Sequence, residues 1–244
     1  MSVPPPSTPS PAPRVEAIPA AGPVTRRRLS SKDRRSQLLA HAIELFARRG
    51  FSGTRTKDIA AACGVSEGIL FRHFATKEDL YHAILETHAD EAGSKEWMLE
   101  MKRWAAERND RELVHCLVTQ VIKSFREDAA FHRLMMYAWL EGHSLADMVH
   151  QRMGLPTFDF LQTYVTGRQS EGAFRAGEPG AMVIALYSPA LQYAMSKYVF
   201  GMEVFHLADA DVAGEFTELL LAGLLVPAAQ VKKAVRKKKK VRSL

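Results

Sequence analysis

Between Thr56 and Leu70 the small and apolar side chains fall in an order that commits the backbone. Counted from Thr56, Ile59 and Ala60 stand fourth and fifth, Gly64 and Val65 ninth and tenth, and Leu70 fifteenth. Ala60 is small where a second helix must cross close to the first. Gly64 permits a sharp turn at low steric cost, and Ile59, Val65 and Leu70 glue the pair together. The spacing predicts helix, tight turn, helix. An ordinary helical hairpin has the same spacing, so two readings stand: a packing element, or a unit whose second helix keeps its outer face for a major groove.

The flanking sequence continues in helical period. Leu38, Ala42, Leu45 and Phe46 make one apolar face of a helix beginning near Ser31. Arg48 and Arg49 suit its C-terminal dipole, Gly50 stops it in a left-handed turn, and Phe51 folds back. Thr56, Ser66 and Thr76 are read as N-caps of the next three helices, the one after Ser66 carrying Ile69, Leu70 and Phe74. Further helices are expected near 95–108, 110–127, 128–141, 144–172 with a break at Pro156, 179–202 bent around Pro189, and 209–226.

Charge divides the chain. The formal net charge of +6 belongs to the ends: residues 231–244 carry eight basic side chains and no acid, whereas residues 81–230 sum to −8. An acidic body is a poor wrapper of nucleic acid, so a polyanion should meet the ends or the first domain. Arg26, Arg27, Arg28, Arg34 and Arg35 are read as preceding the first helix. They read either as an arm toward a minor groove or flanking phosphates, or as a solvated linker. Residues 1–25 hold eight of the twelve prolines, which favours an extended, disordered segment. The longest apolar run, Leu219 to Val226, is too short to span a bilayer, and no membrane partner is expected. Cys63 and Cys116 are too few for a disulfide scaffold, which points to a reducing cytosol. His82, Glu86 and Asp90 lie four apart but read as a solvated face. With no metal set, phosphate loop or activated nucleophile in the pattern, neither a metal, a cofactor nor catalysis is expected.

The stretch 38–81, LLAHAIELFARRGFSGTRTKDIAAACGVSEGILFRHFATKEDLY, resembles the DNA-binding domain of the TetR family of bacterial transcriptional regulators. Leu45 and Phe46, Gly50 and Phe51, Thr56 to Ala60, Gly64 to Ser66, Phe71, His73, Phe74 and Lys77 carry the match. The resemblance implies an all-α chain. A three-helix, helix-turn-helix DNA-binding domain at 29–80 would be followed by a larger helical effector-binding and dimerisation domain at 81–228. A proline-rich basic extension (1–28) and a lysine-rich tail (229–244) would flank them.

It also implies roles. Thr56, beside the cations Arg55 and Lys57, would meet phosphate. Ser66, Glu67 and Gly68 would open the reading helix, Gly68 letting the backbone approach DNA. Arg72 would read guanine through its fork, and His73 and Lys77 would hold phosphates. Phe71 stands where many relatives have tyrosine, which removes a phosphate-bonding hydroxyl. Glu67 places an acid beside the groove, either accepting from cytosine N4 or complementing the helix dipole.

The resemblance further implies a homodimer through the last two helices, bound to a palindromic double-stranded operator, acting as a cytoplasmic repressor released by an effector. The middle helices are rich in methionine and aromatic groups, which most often mean plain core. Together they would suit a small apolar effector held by Trp104, Leu117, Val121, Met135, Trp139, Leu161, Tyr164 and Tyr193. The competing reading is a nucleoid-coating protein that binds through its basic ends.

Overall fold

The computed structural model describes residues 30–90, 93–203 and 206–226. The proline-rich segment with Arg26 to Arg28, and the Lys237 to Lys240 run, lie outside them. Helix follows helix: α1 (Ser31–Gly53), α2 (Thr56–Ala62), α3 (Glu67–His73), α4 (Lys77–Asp90), α5 (Gly93–Ala106), α6 (Asp110–Glu127), α7 (Ala129–Leu140), α8 (Ser144–Val149), α9 (Leu155–Ser170), α10 (Pro179–Ala194) and α11 (Asp209–Leu224). Among the described residues no strand forms, apart from one isolated antiparallel bridge between Phe174 and Leu225. No helix there is long and apolar enough to cross a membrane.

Local chemistry sets the boundaries. Ser30 caps α1 by accepting from the Asp33 amide at 3.1 Å. Gly50 interrupts α1 at φ +70°, as its sequence position predicts, and one more turn follows before Thr54. A Cβ at Gly50 would fall 2.3 Å from Glu141 Oε1, so both the left-handed backbone and the approach of α7 require glycine. Thr76 and Asp79 cap α4 reciprocally, each side chain accepting from the other's amide at 3.0 Å. Thr56 departs from expectation: Arg55 occupies the N-cap of α2 without a side-chain bond, and Thr56 is the first helical residue.

The break anticipated at Pro156 is a π-helical turn, His150–Gly154, which precedes α9. Proline clashes with the carbonyl four residues back, here Arg152, and a widened turn relieves that clash. α10 runs through Pro189 to Ala194, and its irregularity is a second π turn, Met195–Val199.

The helices pack around two principal cores. One gathers Leu38, Ala42 and Phe46 of α1, Ile59 and Ala60 of α2, Leu70, Phe74, and Leu80, Tyr81 and Ile84 of α4. It is completed by Phe131, Leu134, Met135 and Ala138 of α7 and Ala146 of α8, so its packing continues past residue 80. The other joins α5, α6, α9, α10 and α11 through Met101, Leu113, Leu117, Leu161, Val183, Leu186 and Leu221.

The first core contains one anomaly. Tyr81 is fully buried against Phe46, Phe51 and His143, yet its hydroxyl meets no hydrogen-bond partner. A desolvated hydroxyl costs free energy that phenylalanine would not. Tyr81→Phe is therefore expected to raise stability by about 1 kcal/mol in urea denaturation. A loss of that size would mean that the hydroxyl is satisfied in solution.

Candidate nucleic-acid interface

The α2–α3 unit is built as its spacing predicts. Ile59, Ala60 and Leu70 are buried where the helices meet. Gly64 takes φ +65° in the turn, and the Val65 amide closes it on the Ala60 carbonyl at 3.0 Å. Within α3 only Leu70 is buried. Ser66, Gly68, Phe71 and Arg72 are exposed, Phe71 to 44%. A Cβ at Gly68 would meet nothing closer than Ser66 Oγ at 3.9 Å, so no packing within the chain demands glycine there. Arg55 and Lys57, at the start of α2, are also exposed.

Several predicted contact residues are engaged within the protein. The Thr56 hydroxyl donates to Glu67, joining the first turns of α2 and α3. Lys77 donates to the Phe51 carbonyl and sits 4.0 Å from the Phe51 ring centroid. Burial lowers the pKa of its ammonium, with Glu78 and Glu141 opposing. In this geometry Lys77 secures the α1–α2 turn. The amide side of the same turn is held by Glu141, whose Oε2 accepts from Phe51 N at 3.1 Å. Arg34 and Arg35 belong to α1 rather than to an arm before it: Arg34 reaches Gln37 at 2.6 Å, and Arg35 reaches the carbonyl of His73 at 3.1 Å. Ninety residues separate Phe51 from Glu141 and thirty-eight separate Arg35 from His73, and no local pattern signals either pair.

Among the proposed effector residues, Leu117, Leu161, Tyr164 and Tyr193 are buried in the second core, with Trp104 and Val121 packed against it. Met135 and Trp139 do not join them. Met135 lies in the first core, and Trp139 is 57% exposed, because the buried face of α7 turns toward α1. The two tyrosine hydroxyls have acidic acceptors: Tyr164 donates to Asp110 at 2.6 Å and Tyr193 to Asp209 at 3.0 Å. Asp209 also binds Lys197 at 2.8 Å and Tyr198. Burial works to raise its pKa, but the hydrogen bonds from Lys197, Tyr198 and Tyr193 outweigh it and hold the carboxyl at about 2. His82 faces Met148 Sδ at 3.1 Å, and among the described residues no group of three ligating side chains is arranged to hold a metal. Cys63 is buried against α1, its thiol pKa raised by burial.

The helix-turn-helix lies where a family model for bacterial regulatory proteins, tetR family, matches residues 38–84. Residues 38–84 are a TetR-family DNA-binding domain. One TetR-family relative is the HTH-type transcriptional activator FasR of Mycolicibacterium smegmatis, 42% identical over 77 residues, or 32% of this chain. That match spans about a third, 35%, of FasR. The uncharacterised HTH-type regulator YvkB of Bacillus subtilis is 24% identical over 195 residues, covering 77% of this chain and 95% of YvkB. The crystal structure of AibR with isovaleryl coenzyme A and operator DNA shares the fold at a TM-score of 0.58 and 20% identity, covering 77% of this chain and 98% of AibR. The TetR-family assignment thus rests on the head, and the likeness in fold extends through the body.

Proposed function

We propose that this chain is a sequence-specific transcriptional repressor that binds a palindromic operator as a homodimer, with α3 in the major groove and a small apolar effector releasing it. The observation that carries the reading is the outward face of α3, where Gly68, Phe71 and Arg72 are exposed while Leu70 alone is buried. Arg72 reads a base edge. Arg55, Lys57 and His73 meet phosphates, and Ser66 and Gly68 allow the backbone to come close. Thr56 and Glu67 position one another. Lys77 acts from within by securing Phe51.

Exposed Ile184 and Leu191 on α10 and Leu219 on α11, the last 66% exposed, support a dimer through these two helices. The effector belongs among Trp104, Leu117, Val121, Leu161, Tyr164 and Tyr193 of the second core. AibR was crystallised with an acyl coenzyme A, which favours an effector with an apolar acyl portion. A hundredfold preference of the effector for the DNA-incompetent arrangement would couple the sites by about 2.7 kcal/mol.

Selection of bound duplexes from a random pool tests the DNA reading, and a two-fold symmetric preferred site is expected. Arg72→Ala should weaken binding to that site about tenfold and relax the preference at one position of each half-site. Equal affinity for selected and random duplexes would instead support a nucleoid-coating protein. A fall in target transcript on deleting the gene would make the chain an activator.

A further inference from the structure

We propose that Arg35 is a positioning residue for the reading helix: its guanidinium fixes the C-terminal end of α3, and with it the pose of Arg72, without touching DNA. The inference rests on the reading role proposed above for α3. α3 has seven residues, too few to hold a helix in water unaided. Its entry is fixed by the Gly64 turn and its middle by Leu70. Its exit is fixed from α1. The carbonyl of His73 is among the last of the helix, which lack partners inside it, and Arg35 donates to it at 3.1 Å. The same guanidinium lies 4.3 Å from the ring centroid of Phe74, the buried C-cap. A cation at a helix C-terminus also suits the dipole.

These contacts use one edge and one face of a planar fork at once. Lysine keeps the charge but cannot stack and donate in that way. Arg72 and His73 are the last two residues of α3, so an unfastened exit loosens the side chain proposed to read bases.

The test compares full-length wild type with Arg35→Lys. Hydrogen exchange is measured along the chain, and affinity is measured for the duplex that wild type selects from a random pool and for a scrambled duplex of equal length. We expect exchange at residues 70–74 to speed about tenfold while α1 and α6 keep their rates. Affinity for the selected duplex should fall about tenfold, with the scrambled duplex bound as before. Equal losses on both duplexes with unchanged exchange in α3 would make Arg35 a phosphate contact and overturn the proposal. Faster exchange throughout the chain, or no change in any measurement, would overturn it too. If wild type selects no duplex, the reading role of α3 falls, and exchange at 70–74 still decides whether Arg35 holds its end.

Discussion

Asp110→Ala is expected to destabilise the chain by about 3–5 kcal/mol, the cost of breaking a buried ion pair from one side. Asp110 opens α6, where an acid complements the helix dipole. It accepts both arms of the Arg168 fork, from Nε at 2.8 Å and Nη2 at 2.6 Å, and the Tyr164 hydroxyl at 2.6 Å. Arg168 and Asp110 are only 14% and 12% exposed, so water does not replace the lost partner. Alanine leaves the guanidinium with Glu171 alone, at Nη1, and strands the Tyr164 phenol, at the place where the end of α9 is tied to the start of α6. Arg168→Met in the same chain removes the half-paired charge and should recover most of the loss, because well-packed apolar groups replace buried pairs at little cost. Urea denaturation of both single variants and the double variant measures this. A loss below about 1 kcal/mol for Asp110→Ala would put the pair in the class of exposed salt bridges and refute the argument.

What could be read from the sequence was local. The order and approximate bounds of the helices follow from apolar period and stop signals, and Gly50, Gly64 and the Thr76 cap act where they stand. The helix-turn-helix was legible because one short stretch holds both the turn glycine and the residues that pack it. Pairings across the fold were not. α7 carries apolar groups on several sides, and its sequence does not say which core receives them. Phe131, Leu134, Met135 and Ala138 pack into the first core, while Trp139 faces out. Glu141 then reaches the Phe51 amide. Helix α7 therefore completes the first core alongside α4. Arg35 and Lys77 illustrate the same limit. Basic residues near a DNA-reading unit suggest phosphate, but a nearby aromatic ring with a helix-end or turn carbonyl is an equally good site for a cation, and only folding brings the two together.

The second large effect is a loss of stability in mild acid, centred on His132. Its imidazole stacks on Phe125 with ring centroids 3.7 Å apart and packs edge-on to Phe131. Burial lowers its pKa to about 4, outweighing the opposing influence of Asp128 and the Ser124 backbone. The unfolded chain binds this proton near the ordinary value of 6.5, and the folded chain resists until about 4. As pH falls from 6.5 toward 4, the unfolded state is favoured progressively. The difference amounts to about 3 kcal/mol, and it is absent above 6.5, where both states are neutral. Asp209 works in a different window: its carboxyl, held at about 2, contributes fully above the ordinary 3.8 and is lost only below it. Denaturation midpoints at pH 7.5 and pH 4.5 should therefore differ strongly in wild type. The difference should shrink in His132→Phe, which keeps a ring against Phe125 and cannot take up the proton. An unchanged acid response in that variant would assign the loss to other groups and remove His132 from the account.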